Sequence, residues 1–348
     1  MKRSLRATGA ALAAVALLTT AACGSESPDA ASGNSDKPQV GVDLPRADSD
    51  FWNSYAKYVP TFAEEVGADL MAPTNSQNDV AKLVANSQAL VSQGAKAIVM
   101  APQDTGAIAT TLTMLEQKKI PVVSVDTRPD KGKVFMVVRA DNRAYGQKAC
   151  EFLGQKLGGK GKVVEFQGAL SSINGRDRSE AFAECMRTKF PGITVFEEPT
   201  EWEGTKASAA LQTRLAQHPD IKGIYMQAGG VFLAPTLQLL RSKNLLVPPT
   251  DPKHVFIVSN DGIPQEFEAI RKGEIDATVS QPADLYAKYA LFYAKAAIDG
   301  RTFQPGPTDH DSTIVDVGNG VLEDQLPAPL VTAENVDDAG LWGNQVSK

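Results

Sequence analysis

The sequence predicts an α/β fold of two lobes, each a parallel sheet flanked by helices, facing one another across a cleft. Three observations lead there. Strand-like and helix-like segments alternate from residue 38 to residue 300. The alternation repeats about every 25–30 residues, the length of a strand, a crossover helix and the return to a parallel neighbour. Two such series follow one another with no long linker, and the chain is long enough for two domains.

The first series opens with "PQVGVDL" (38–44), a short apolar run that reads as a strand. "FWNSYAKYVPTFAEEVG" (51–67) has helical periodicity and closes on Gly67. "ADLMAP" follows as strand, "NDVAKLVANSQALVSQG" as helix, "AKAIVMAP" as strand, "TGAIATTLTMLEQKK" as helix and "IPVVSVD" as strand. After "KVFMVVRADN" the second series sets "NRAYGQKACEFLGQKLG" (helix), "GKVVEFQG" (strand), "GRDRSEAFAECMRTKF" (helix) and "GITVFEEP" (strand) in order. "TKASAALQTRLAQHP", "IKGIYMQ", "FLAPTLQLLRSKN" and "HVFIVSND" continue the alternation. "PQEFEAIRKG" and "PADLYAKYALFYAKAAIDG" are helices on either side of the strand "IDATVSQ".

Two of these strands end on a carboxylate: Asp126 after "VVSV" and Asp261 after "VFIVSN". In open parallel sheets, ligands sit beyond the carboxyl ends of strands. An acid or base, a metal ligand, and an acceptor for ligand hydroxyls are the three roles open to such a pair. No G-x-G-x-x-G follows the first strand, and neither a phosphate loop nor a G-x-S-x-G elbow occurs. "LGGKGK" (157–162) precedes a strand and reads as a turn. The three histidines, His218, His254 and His310, are far apart, without zinc-like spacing, and a calcium loop is absent. No cofactor or metal is expected. The company the aspartates keep favours hydroxyl binding. Phe51 and Trp52 open a helix, Asn142 and Arg176 stand at helix starts, and Trp202 and Gln281 end strands. Rings suit the C–H faces of a polyol, while carboxylates, amides and guanidinium groups suit its hydroxyls. Rival readings are bland: core packing for Phe51, a helix cap for Asp261, a turn contact for Asp126, and pairing of Arg176 with Asp177 or Glu180.

The ends and composition set the compartment. "MKRSLRATGAALAAVALLTTAACGS" has a basic start, an apolar stretch and small residues before Cys23, the pattern of an export signal (1–22) cleaved ahead of a lipid-bearing cysteine, although Thr20 stands where Leu, Val or Ile is usual. Residues 23–37 are small and polar, as a tether should be. Lipidation at Cys23 would leave Cys150 and Cys185 as an even pair in an oxidising compartment, where a disulfide is expected. A formal charge of −6 argues against a nucleic-acid partner.

The segments "IPVVSVDTRPDKG", "RADN…GQ", "GRDRSEAF", "VSNDG" and "AIRKGEIDATVSQ", in this order and spacing, carry a resemblance. Over residues 38 to 317 the sequence resembles the solute-binding lipoproteins of bacterial ABC importers, in the group typified by ribose- and xylose-binding proteins. The resemblance implies two Rossmann-like lobes joined by a multi-strand hinge, the type I periplasmic binding protein fold. It implies a first lobe of residues 38–140 and 282–309, and a second of 141–281 with 310–348 as its remainder and tail. Phe51, Trp52 and Trp202 would stack on the ligand, and Asp126, Asn142, Arg176, Asp261 and Gln281 would bind its hydroxyls. The chain departs from the group at Ser49, where ribose binders have Asn, and at Thr127, where an Arg is usual and Arg128 would reach over. "MQAGG" (226–230) replaces an Asn-Asp pair, leaving Ala228 apolar and Gln227 as compensation. These losses point away from ribose itself and toward a small sugar or a linear sugar alcohol. The implied protein is a monomeric, non-enzymatic binder at the outer face of the cytoplasmic membrane, passing its ligand to a membrane permease. Recognition of a furanose-like signalling molecule uses the same fold. A sugar-processing enzyme would need the two aspartates astride a glycosidic bond.

Overall fold

A computed structural model describes residues 38–346 of the chain. The expected export signal, the lipidation site Cys23 and the tether lie outside the described residues.

The first lobe begins with β1 (Gln39–Leu44), α1 (Asp50–Glu65), the two short strands β2 (Asp69–Leu70) and β3 (Thr74–Asn75), and α2 (Val80–Ser92). It continues with β4 (Ala97–Met100), α3 (Ala109–Gln117), β5 (Val122–Val125) and β6 (Met136–Ala140). β4, β5 and β6 are buried along their whole length, as central strands of a doubly covered parallel sheet must be. α1 turns Phe51, Trp52, Tyr55, Val59 and Ala63 inward on one face. The Asp79 side chain caps α2 by accepting from the Lys82 amide at 2.9 Å.

The second lobe runs through α4 (Asn142–Lys156), β7 (Lys160–Gln167), α5 (Ile173–Lys189), β8 (Gly192–Pro199) and α6 (Gly204–Gln217). β9 (Ile221–Met226), α7 (Gly229–Ser242), β10 (Phe256–Asp261), α8 (Pro264–Arg271) and β11 (Ala277–Ser280) complete it. The chain then returns to the first lobe as α9 (Ala283–Ile298), β12 (Gly306–Pro307), β13 (Thr313–Asp316) and β14 (Leu322–Leu326). A last crossing delivers β15 (Leu330–Thr332) to the second sheet.

The strand orders are β12-β13-β14-β6-β5-β4-β1-β2 in the first sheet, with β3 beside β1, and β15-β11-β10-β9-β7-β8 in the second. Residues 310–348 therefore do not all follow the second lobe, and that expectation is corrected. β14 pairs in parallel with β6, from Glu323 opposite Val137 to Leu326 opposite Ala140, and β13 pairs with β14. The acids of "LEDQL" are buried because they are paired. Glu323 accepts from Arg128, and Asp324 accepts from Tyr293 and Ser312 and meets His310.

Crossings at Asp141, at Gln281–Pro282 and at 327–329 join the two sheets. Cys150 of α4 and Cys185 of α5 form a disulfide with a Cα separation of 6.1 Å. No helix among the described residues is long and apolar enough to cross a membrane.

Candidate functional site

The carboxyl ends of strands from both lobes converge on one cavity. Ser49 and Arg46 arrive from the loop after β1, Phe51 and Trp52 from the first turn of α1, Gln103 from beyond β4, and Asp126 from the end of β5. From the second lobe come Asn174 and Arg178 on α5, Trp202 beyond β8, Ala228 and Val231 around the start of α7, Asp261 at the end of β10 and Gln281 after β11. The lobes meet closely, and the cavity between them is about 40 Å³.

Arg178 organises the second-lobe wall. Its Nε donates to Asn142 Oδ1 at 2.6 Å, Nη1 to the Gln227 carbonyl at 2.5 Å and Nη2 to Gln281 Oε1 at 2.8 Å. The guanidinium lies 5.0 Å from the Tyr145 ring centroid and 5.8 Å from that of Trp202. Gln281 Nε2 donates to Asp261 Oδ1 at 2.8 Å, and the Gly230 amide donates to Oδ2 at 2.7 Å. Across the cleft, Asn174 Nδ2 donates to Asp126 Oδ2 at 2.9 Å and accepts at Oδ1 from Arg139 Nη2 at 2.8 Å.

Two buried polar atoms of the lining residues, one from each lobe, have no protein partner: Asp126 Oδ1, an acceptor, and Trp202 Nε1, a donor. Burial raises the pKa of Asp126, with Arg178, Arg139 and Asn174 opposing the rise. Burial likewise pushes Asp261 up to about 7, against the pull of Arg178 and the Gly230 amide. The backbone at three of these positions is strained. Asp126 has φ 65°, Trp202 φ 59° and Asp261 φ 121°, values that non-glycine residues seldom adopt. Such strain is characteristic of positions whose side chain must point in one direction.

The expected residues divide. Phe51, Trp52, Asp126, Trp202, Asp261, Gln281 and Ser49 line the cavity. Arg176 does not. Its Nη2 donates to Asp130 Oδ1 at 2.5 Å and Thr105 Oγ1 at 3.3 Å, and its Nη1 to the Leu170 carbonyl at 3.1 Å, at the outer lip of the cleft. Asn142 stands behind the wall, holding Arg178. Arg128 turns away to Glu323 at 3.1 Å. The Gln227 side chain is also outside the lining, bonded to Glu165, Ser179 and the Gly168 amide.

Arg46, Gln103, Asn174, Arg178 and Val231 are lining residues that the sequence reading missed, while Ala228 lines the cavity as the apolar replacement expected there. A signal existed for two of them. Asn174 and Arg178 are four apart in "NGRDR" and share a helix face, whereas Arg176 projects from the far side.

The model of the periplasmic binding protein domain matches residues 40–302. The chain belongs to this family. Among its relatives are the ribose import binding protein of Salmonella typhimurium, 29% identical over 70% of this chain and 78% of the relative. The xylitol-binding protein of Mycolicibacterium smegmatis is 25% identical over 95% of this chain and 86% of its own length. A solved family structure, an ABC transporter solute binding protein from Mycobacterium smegmatis with bound glycerol, superposes with a TM-score of 0.74. It is 25% identical and covers 86% of this chain and 96% of its own. The two sheets and the crossings between them are those of a type I periplasmic binding protein.

Proposed function

We propose that the protein is the extracytoplasmic substrate-binding component of an ABC importer and captures a small neutral sugar or sugar alcohol between its lobes. The observation that carries this reading is the state of the polar groups around the cavity. The nearby guanidinium groups already face protein acceptors: Arg46 pairs with Asp48, Arg139 with Asp177, and Arg178 makes its three bonds. Among the residues lining the cavity, the unpartnered buried side-chain atoms are one acceptor and one donor, which a hydroxyl-bearing ligand satisfies without bringing charge; Arg139, behind the lining, leaves only its Nε unpartnered. A carboxylate or phosphate on the ligand would add like charge beside Asp126 and Asp261.

Size does not rank ligands within the pentose, pentitol and tetritol range, because with the lobes this close the cavity is smaller than any of them. The cavity of about 40 Å³ lies well below the roughly 150 Å³ that accommodates benzene. Relatives named for ribose and xylitol, and a family structure holding glycerol, fit this class. In this reading the ligand bridges Asp126 of one lobe and Asp261 of the other and so favours the closed form by differential contact. The protein acts as a monomer without catalysing a reaction, held to the membrane by lipid on Cys23, and hands its ligand to a permease.

A thermal-shift screen of tetritols, pentitols, pentoses and hexoses, followed by calorimetry, tests the reading. Stabilisation by a tetritol, pentitol or pentose is expected, with none from the corresponding sugar acids. Tight binding of a sugar acid or sugar phosphate would overturn it.

A further inference from the structure

The segment after β15 joins the two lobes a fourth time, without a covalent crossing. Val336 and Leu341 are part of the hydrophobic core of the second lobe. The next residue, Trp342, is part of the core of the first lobe and is 3% exposed. Consecutive side chains thus serve opposite lobes.

On the second-lobe side the segment is tied to α8. Arg271 Nε donates to Asp337 Oδ1 at 2.7 Å, and its Nη2 donates to the Val336 carbonyl at 3.1 Å and to Asn344 Oδ1 at 2.8 Å. Gly343 lies so close to the residue after Asp261 that a Cβ there would stand 2.3 Å from the Gly262 carbonyl oxygen. On the first-lobe side the contact is a ring. Trp342 meets Phe51 edge-to-face at 6.0 Å between centroids, and Phe51 lines the cavity. The segment therefore backs the cavity wall in both lobes.

We propose that residues 333–346 act as a clasp that biases the lobes toward closure, with Trp342 as a positioning residue for Phe51. The anchoring is unequal, and that gives the clasp its direction. Several hydrogen bonds hold the segment to the second lobe, whereas the first lobe holds it through apolar contact, and the buried indole N–H has no partner. Parting of the lobes withdraws the ring from the first-lobe core and returns its apolar surface to water, while the Arg271 bonds stay intact. The clasp rests on the reading of the cavity as the ligand site only for its effect on affinity; its effect on lobe closure stands apart.

Small-angle scattering from the ligand-free full chain, with xylitol calorimetry beside it, tests the proposal. Trp342→Ala should enlarge the radius of gyration relative to the wild type and weaken xylitol binding about tenfold. Trp342→Phe should restore both. Arg271→Ala, a surface change that touches no first-lobe residue, should move both readouts in the same direction as Trp342→Ala. An unchanged radius of gyration in Trp342→Ala and Arg271→Ala would overturn the clasp. If the wild type itself ignores xylitol, the choice of ligand fails, and the scattering comparison still decides the clasp.

Discussion

Asp126 holds its left-handed backbone while one carboxylate oxygen takes a hydrogen bond from Asn174 and the other takes none from the protein. Asparagine tolerates the same backbone region and keeps the shape without a charge to bury. Asp126→Asn should leave the ligand-free melting temperature unchanged or higher, yet weaken the ligand found by screening by about 2–4 kcal/mol. Equal affinity in calorimetry would mean that the carboxylate merely holds its turn. Arg178 and Arg176 separate a structural keystone from a lip contact. Arg178→Ala strands Asn142 Oδ1, Gln281 Oε1 and the Gln227 carbonyl, and should cost about 3–5 kcal/mol in denaturant unfolding. Arg176→Ala removes a half-exposed pair and should stay within about 1 kcal/mol. The two arginines also mark how far the site was legible. Strand-end aspartates and ring-bearing helix starts are visible in one dimension, because strand ends and apolar runs are local. Which of two arginines two positions apart faces the cleft depends on how α5 is rotated against α4, and only packing decides that.

α4 and α5 are that packed pair, and they carry Asn142 at one start and Asn174 and Arg178 near the other. Gly146 lets them approach: a Cβ there would stand 2.3 Å from the Arg178 carbonyl oxygen and 2.8 Å from the Phe182 nitrogen. About one turn further on, the Cys150–Cys185 disulfide holds the same helices together. Gly146→Ala should therefore destabilise the fold by about 1–3 kcal/mol through overpacking. Because the clash falls on the backbone of Arg178, ligand affinity should drop as well. Urea unfolding and calorimetry measure the two separately; loss of stability with full affinity would show that the helix spacing does not reach the site. At this scale the fold was read well where pattern is strong. β4 is a continuous apolar run between helices and β5 is apolar but for Ser124, and such short runs can do little else. β14 was invisible because "LEDQL" carries adjacent acids, whose burial makes sense only beside Arg128, Tyr293, Ser312 and His310.

Taken over the whole molecule, the buried acids give the ligand-free protein a definite response to pH. Burial raises Asp126 from its ordinary value and Glu165 well above its own, and pushes Asp261 up to about 7 and Glu266 up to about 8. The folded chain therefore keeps protons that the unfolded chain has released from about pH 4 upward. With fewer protons bound in the unfolded state, stability falls as pH rises through this window. His254 adds to the trend. Burial lowers its pKa, but the Asp276 side chain and the Val247 carbonyl outweigh that, so its net rise contributes stability that is lost as pH increases. Calorimetric melting of the ligand-free protein should give a higher midpoint near about pH 6 than near about pH 8. A flat or rising profile would contradict the burial of these groups.

The interruption of the first sheet by the whole second lobe has a consequence in time. α9 covers the first-lobe core, and β14 extends its sheet beside β6, yet both follow residue 281 in the chain. During synthesis, the apolar runs of β4, β5 and β6 must wait through more than a hundred intervening residues before that cover exists. The second lobe waits for little, since β7 to β11 are contiguous and only β15 comes late. Contacts between distant segments form slowly because the loop between them must be closed first. In refolding followed by pulse-labelled hydrogen exchange, amides of β7, β9 and β10 should gain protection before those of β4, β5 and β6. The half-made first lobe is then the species most exposed to aggregation.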